Sequence, residues 1–199
     1  MDALSYILIG ILQGILEWLP VSSKGVEALI MVKFFNKTLS EALVLALWMH
    51  TGTLLAALVY YRIEILEILK NLKNYIKNPA KDSIYLGIAQ GFTAIPGLSR
   101  SGTTISTLMF RGYSAREALR VSFLVSIPAV FGVEVLLGLL KTSTFDILMI
   151  PGIIASFIFG LLTINSLVKL AEKINFGYFC SGFGFIIILF VIISSLYNI

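Results

Sequence analysis

The sequence predicts an all-α integral membrane protein: an inverted repeat with two re-entrant helical hairpins and about four full transmembrane helices. One observation is composition, since 58% of the residues are hydrophobic and 13% are charged, with a mean hydropathy of +0.94. The other is repetition. The run QGILEWLPVSSKG at 13–25 returns as QGFTAIPGLSRSG at 90–102, 77 residues later. Paired breaks in two halves of a membrane chain are typical of a binding site at a repeat interface.

The apolar stretches follow this plan along the chain. Four of them, 42–61, 121–140, 147–168 and 177–199, are long enough to cross the ~30 Å of bilayer hydrocarbon as helices. Two shorter ones, 3–16 and 83–99, run into polar, Pro-containing loops followed by short segments at 26–32 and 103–110. We interpret these as re-entrant hairpins. Backbone broken at membrane depth is tolerated only where it is buried in protein or lines a polar cavity.

The segment 62–81 joins the two halves. It carries Ile65, Leu69, Leu72 and Ile76 with lysines between them, which predicts an amphipathic helix on the membrane surface. The domain plan is therefore one membrane domain, 1–199. It comprises a first repeat at 1–61, a linker at 62–81, an inverted second repeat at 82–140 and a C-terminal helix pair at 141–199.

Charge predicts the orientation. A hairpin enters and leaves on one face, so each half makes one net crossing. Most basic loop residues then lie on the side opposite the N-terminus, which the positive-inside rule assigns to the cytoplasm. We expect a multi-pass cell-membrane protein with both termini extracytoplasmic and no cleaved signal peptide. The basic loop residues on the cytoplasmic side explain the pI near 9.2, so we expect no nucleic-acid partner.

Arg100 is the candidate for chemistry in the second break, because ionisable groups inside membrane segments are costly and usually functional. Glycine N–H groups, serine hydroxyls and a guanidinium together suit a phosphate. The segment after the break would also direct its N-terminal N–H groups at the anion. Alternatively, Arg100 only pairs with Glu17 across the repeat interface. The predicted phosphate-binding residues here are Gly97, Ser99, Arg100, Ser101, Gly102, Thr103 and Thr104.

Glu17 is the candidate in the first break. It follows Gln13 by one helical turn and precedes Ser22 and Ser23, so a carboxylate, an amide and two hydroxyls converge on one cavity. The carboxylate suits a general base or a divalent-cation ligand, Gln13 would orient water or the metal, and either serine would be a nucleophile or a donor. Lys24 either adds a phosphate contact or extends from the hairpin tip to water.

These residues resemble those of the undecaprenyl-pyrophosphate phosphatase family. The first break is similar to the family's glutamate-containing motif, and 96–102 is similar to its P-G-x-S-R-S-G motif. The resemblance implies a membrane phosphatase that removes the terminal phosphate of a polyprenyl pyrophosphate with the help of a divalent cation, Mg²⁺ or Ca²⁺. It also implies that the site is lined by Glu17, Ser22, Ser23, Ser99, Arg100, Ser101 and Thr104.

The chain departs from the family pattern in two ways. Family members commonly carry a histidine where this chain has Val26, and they carry additional helices between the two halves. His50, in the middle of 42–61, either replaces the missing imidazole or only donates to a neighbouring carbonyl. Glu27 is a second candidate base, or else a solvated carboxylate near the mouth of the site.

Two functions fit these features. One is a lipid pyrophosphate phosphatase whose site opens outward and sideways, so that the isoprenoid tail stays among the membrane lipids. The other is a transporter or flippase for a polyprenyl phosphate lipid, which an inverted repeat suits equally well. The crowding of hydroxyl groups favours the enzyme. A homo-oligomer is compatible with either function.

Overall fold

The computed structural model describes residues 1–73, 81–93, 95, 97–139 and 145–197, and these are helical nearly throughout. Ile76 of the linker, together with the basic loop residues Lys77 and Lys141, lies outside the described residues. The first half contains α1 (Ala3–Leu16), α2 (Ser23–Phe35), α3 (Leu39–Tyr60) and α4 (Arg62–Lys70). The rest contains α5 (Asp82–Phe92), α6 (Arg100–Phe110), α7 (Ala115–Leu139), a 3-10 turn (Ile147–Met149), α8 (Ile150–Ala171) and α9 (Phe176–Tyr197).

Both halves use the same local signals to begin the helix that follows each break. Ser22 Oγ accepts a hydrogen bond from Gly25 N at 3.3 Å and caps α2. Ser99 Oγ accepts one from Gly102 N at 3.1 Å and caps α6. A serine side chain at this position satisfies a backbone donor that the first turn leaves unpaired. The Ser-x-x-Gly element of the repeated motif is therefore a helix start in both copies.

The next turn is also matched between the halves. Asn36 after α2 and Gly112 after α6 both have left-handed backbone, with φ of 51° and 89°. A capping box then begins the long helix, formed by Thr38 with Glu41 at α3 and by Ser114 with Glu117 at α7. This box explains why α7 begins at Ala115, ahead of the predicted start at 121.

Two parts of the described chain are long and apolar enough to cross a bilayer, namely α3 and the continuous stretch Ile147–Ala171, with mean hydropathies of 1.9 and 2.4. By contrast, α1 and α5 have 14 and 11 residues. At ~1.5 Å per residue neither would span ~30 Å of hydrocarbon. The all-α prediction and the membrane class are thus supported by the helices themselves.

Helix α8 packs against both α1 and α3. The helices approach closely because small residues face one another. A Cβ on Gly10 would lie 2.0 Å from the Gly152 carbonyl oxygen, and one on Gly52 would lie 2.4 Å from the Ile153 carbonyl oxygen. Ser156 Oγ of α8 also donates to the Met49 carbonyl of α3 at 2.9 Å. Small residues and interhelical hydrogen bonds of this kind hold helices together in lipid, where burial of apolar surface contributes little to helix association.

Polar side chains form a buried layer between two apolar clusters. Along α1, Ile9 belongs to one cluster and Trp18, just beyond the helix end, to the other, and Gln13 lies between them in sequence. Along α3, Met49 belongs to the same cluster as Ile9 and Ala56 to the same cluster as Trp18, and buried His50 and Thr53 lie between them in sequence. The fold therefore places polar groups from α1 and α3 at the same level of the helix bundle.

Candidate active site

The two breaks contact each other, although they are far apart in sequence. Ser101 Oγ, at the start of α6, donates to the Leu19 carbonyl in the first break at 2.6 Å. A Cβ on Gly102 would lie 3.4 Å from Pro20 Cα, so the backbones themselves are close. The structure therefore builds one site from the two copies of the motif.

The Glu17 carboxylate lies at the centre of this site, just after the end of α1, and it is buried. Its Oε1 accepts a hydrogen bond from Arg100 Nη2 at 2.5 Å. Its Oε2 accepts from Ser23 Oγ at 2.8 Å and from Gln13 Nε2 at 3.1 Å. A buried carboxylate needs such partners, and here they come from α1, α2 and α6. The predicted pairing of Arg100 with Glu17 across the repeat is present.

His50 of α3 completes the surroundings of Glu17. Its Nδ1 lies 2.7 Å from the Ala46 carbonyl oxygen, and its Nε2 lies 3.1 Å from Glu17 Oε2 with the geometry of an ion pair. A carbonyl oxygen only accepts, so Nδ1 carries a proton. In a neutral ring, Nε2 would then present a lone pair to Glu17 Oε2, and the two would repel each other. The contact is attractive only when a further proton lies between them, on Nε2 or on Oε2. Both predicted roles of His50 remain compatible with this geometry.

Arg100 also contributes to a cavity of about 590 Å³. One guanidinium nitrogen, Nη2, is bonded to Glu17, whereas Nη1 is buried and has no hydrogen-bond partner among the described residues. An unpartnered guanidinium N–H group beside a cavity is suited to an anion. The predicted site residues that line this cavity are Glu17, Ser22, Ser23, Lys24, His50, Ser99, Arg100 and Ser101.

The other predicted residues lie behind this wall. Thr104 is fully buried, and its Oγ1 lies 2.8 Å from the Arg100 carbonyl and 2.6 Å from Ser122 Oγ of α7. Thr103 Oγ1 donates to the Ser99 carbonyl at 2.8 Å. Gly97 provides the left-handed turn before α6, with φ of 95°. These residues, together with Gly102 at the contact between the breaks, shape and dock the second break without lining the cavity.

Glu27 has surroundings that were not expected. It lies one turn after Ser23 on α2, is fully buried, and neither carboxylate oxygen has a hydrogen-bond partner in the described part of the chain. The alternative of a solvated carboxylate near the mouth is therefore wrong. Glu17 and Lys24 are close enough to interact with it electrostatically.

Sequence reasoning missed three polar residues of the site. Thr53 Oγ1 accepts from Gln13 Nε2 at 3.3 Å and donates to the His50 carbonyl at 3.0 Å. Gln90 lines the cavity, and its buried Oε1 has no partner among the described residues. The repeat contained the signal for Gln90, which occupies the position of Gln13 in the second copy. Ser122 had no comparable signal.

Gln13 and Glu17 offer the oxygen atoms that a divalent cation would use in this site. Gln13 is fully buried. Its Nε2 donates to Glu17, whereas its Oε1 has no hydrogen-bond partner in the described residues. Amide and carboxylate oxygens are the ligands that Mg²⁺ and Ca²⁺ prefer. The described residues contain no group of three His, Cys, Asp or Glu side chains arranged for a metal. A cation held by Gln13 and Glu17 would take its remaining ligands from substrate phosphates and water.

Comparison with known proteins agrees with the motifs. A family model described as bacitracin resistance protein BacA matches residues 6–81 and 74–186. The undecaprenyl-diphosphatase of Methanococcoides burtonii is 34% identical over 254 residues, covering 92% of this chain and 96% of that protein. That of Methanothrix thermoacetophila is 32% identical, covering 94% and 96%. That of Haloarcula marismortui is 29% identical, covering 89% and 93%.

The length of these alignments also agrees with the expectation that this chain is shorter than its relatives. An alignment of 254 residues exceeds the 199 of this chain, so the relative carries residues without counterparts here. The two stretches matched by the family model meet at 74–81, within the linker between the halves.

Proposed function

This chain belongs to the family described as bacitracin resistance protein BacA, and on that premise we propose that it is a polyprenyl-diphosphate phosphatase. It converts an undecaprenyl-type pyrophosphate to the monophosphate and inorganic phosphate, as in recycling of a lipid carrier. The observation that carries this proposal is the 2.8 Å hydrogen bond from Ser23 Oγ to Glu17 Oε2 on the wall of the cavity that also contains Arg100.

The pyrophosphate binds at the second break. Arg100 lines the cavity and its buried Nη1 has no hydrogen-bond partner among the described residues, so a phosphate oxygen would satisfy this donor. The hydroxyls of Ser99 and Ser101, 3.1 Å apart, lie beside it as further donors. Lys24, exposed at the start of α2, adds a positive charge from the opposite break.

Ser23 is the nucleophile and Glu17 is its base. Their hydrogen bond has the geometry expected of an activated hydroxyl. As the Ser23 Oγ bond to the terminal phosphorus forms, the bridging P–O bond breaks, and the proton of Ser23 passes to Glu17. The polyprenyl monophosphate leaves with the electron pair of that bond. Water then attacks the phosphorus of the phosphoserine as the Ser23 Oγ–P bond breaks. The protonated Glu17 returns its proton to Ser23 Oγ, and inorganic phosphate leaves with both protons of the attacking water.

His50 positions the base in this scheme. Because its Nδ1 is bonded to the Ala46 carbonyl, the imidazole ring is fixed with Nε2 against Glu17. Ser22 is the cap of α2 and supports the turn that presents Ser23. A divalent cation, Mg²⁺ or Ca²⁺, held by Gln13 and Glu17 would neutralise charge on the phosphate oxygens.

The membrane arrangement proposed with this function is an inverted repeat with two re-entrant hairpins, about four transmembrane helices and both termini outside the cytoplasm. The matched caps at the start of α2 and α6 and the short lengths of α1 and α5 support it. The division at 1–61, 62–81, 82–140 and 141–199 follows from the same plan. A homo-oligomer stays a prediction.

Phosphate release from undecaprenyl pyrophosphate by the purified protein tests the proposed function. We expect release that EDTA abolishes and that Mg²⁺ or Ca²⁺ restores, together with a shift in melting temperature when the cation alone is added. Absence of phosphate release, with transbilayer movement of the intact lipid in vesicles, would favour the flippase instead.

A further inference from the structure

The cavity extends beyond the polar site into a space between α5 and α7. On α5 the lining residues are Ser83, Leu86, Gly87, Gln90 and Gly91, and on α7 they are Val125, Ala129, Val130 and Val133. Gly87 and Gly91 lie four residues apart, as do Val125 and Ala129, so each pair lies on one face of its helix beside the same space. The wall therefore changes from the hydroxyls and charges of the breaks to mostly small and aliphatic residues between the helices, with Ser83 and Gln90 as the polar residues of α5.

Packing against the described residues does not require the two glycines of α5. A Cβ on Gly87 or Gly91 would meet no described atom within 4 Å, whereas one on Gly10 or Gly52 would clash with α8. Neither of the α5 glycines has a positive φ. Glycine inside a helix costs about 1 kcal/mol relative to alanine, so two of them weaken α5 with no gain in packing. Because they carry no side chain, these glycines leave the cavity wider between α5 and α7.

We infer that this space, the α5–α7 groove, holds the first isoprene units of the lipid substrate. The inference rests on the proposed function and names where its substrate lies. The occupant follows from continuity, because the residues of the groove and Arg100 line one cavity. A pyrophosphate bound at Arg100 has its first carbons next to the aliphatic wall. A cavity of about 590 Å³ is the size of a small-molecule site, so the distal part of a long chain lies outside.

Filling the groove tests this inference. Gly87→Leu places a side chain in the groove, where its Cβ meets no described atom within 4 Å, and it should favour the helix. We expect KM for farnesyl pyrophosphate to rise about ten-fold or more, the cost of steric exclusion from an apolar site, with kcat within about two-fold. Gly91→Leu is the second variant. Gly132→Leu on α7 is the matched control, since it is equally open but does not line the cavity, and it should leave KM unchanged.

A binding measurement separates this inference from the proposed function. A farnesyl pyrophosphate carrying a benzophenone at its tail should crosslink to α5 and α7, and Gly87→Leu should suppress the crosslink. This outcome supports the groove even if wild-type protein releases no phosphate, a result that would defeat only the proposed phosphatase. Crosslinks confined to other helices would overturn the groove. So would hydrolysis with the same KM in wild type, Gly87→Leu and Gly91→Leu.

Discussion

Arg100 uses its two terminal nitrogens differently, which makes it sensitive to a change that keeps its charge. Nη2 is bonded to Glu17 and Nη1 is unpartnered beside the cavity. In Arg100→Lys a single ammonium cannot serve both positions. Loss of one charged hydrogen bond is worth about 1.5–3 kcal/mol, so we expect kcat/KM for phosphate release to fall about ten- to hundred-fold. Near wild-type turnover would show that Arg100 is only a counter-charge for Glu17.

Glu17 is expected to be the base. Glu17→Gln should lower kcat by about 10²-fold or more, the usual loss when a general base is removed. His50→Ala should cost less, because His50 holds Glu17 and does not contact the substrate in the proposed scheme. Phosphate release and melting temperature should be measured together, since Glu17→Gln also leaves Arg100 without its ion pair. If His50→Ala abolished hydrolysis in folded protein while Glu17→Gln did not, the imidazole would be the base.

We expect Glu27 to lower the stability of the fold and not to act as a second base. It is 0% exposed, both its oxygens lack partners among the described residues, and it does not line the cavity. A buried polar group without a partner costs about 1–3 kcal/mol, and an apolar side chain of similar size does not carry this cost. Glu27→Leu should therefore raise the melting temperature and keep phosphate release within a few-fold. A large loss of kcat with an unchanged melting temperature would give Glu27 a chemical role.

At the scale of elements, the fold depends on how closely α1 approaches α8. A single methyl at Gly10 would lie 2.0 Å from the Gly152 carbonyl oxygen, so Gly10→Ala forces the helices apart. Overpacking of this kind costs about 1–3 kcal/mol. The matched control is Gly132→Ala on α7, where nothing lies within 4 Å and where we expect no loss or a small gain. Melting temperatures in one detergent compare the two, and equal values would contradict the proposed packing.

At the scale of the whole molecule, the inverted arrangement predicts which positions face each side of the membrane. In a Cys180→Ser background, Leu4→Cys and Ile63→Cys are suitable reporters, because these residues are 63% and 64% exposed. A membrane-impermeant maleimide should label position 4 in intact cells and position 63 only after permeabilisation. Labelling of position 63 in intact cells would reverse the orientation, and labelling of both would rule out a net crossing between them.

Local features of this molecule were predictable from its sequence. The predicted stretches 3–16 and 42–61 correspond to α1 and α3, whereas the predicted stretch 83–99 is helical only to Phe92, so the second break begins earlier than predicted. Capping serines, capping boxes and apolar runs act within a few residues, so a sequence displays them directly. The repeat predicted that two polar breaks would share a site, and the contact between Ser101 and Leu19 agrees with it.

Other features were decided only by tertiary structure. Nothing local to α3 places His50 against Glu17, and nothing local to α2 shows that Glu27 is buried without a partner. The packing of α8 against α1 and α3 was also not evident, because the small residues at this contact are recognisable as an interface only when the helices are together. The sequence by itself determined the class of protein, its helices and the residue types of its site, because each follows from short-range chemistry. Which side chains meet was decided by the packing of helices far apart in the chain, which no short segment encodes.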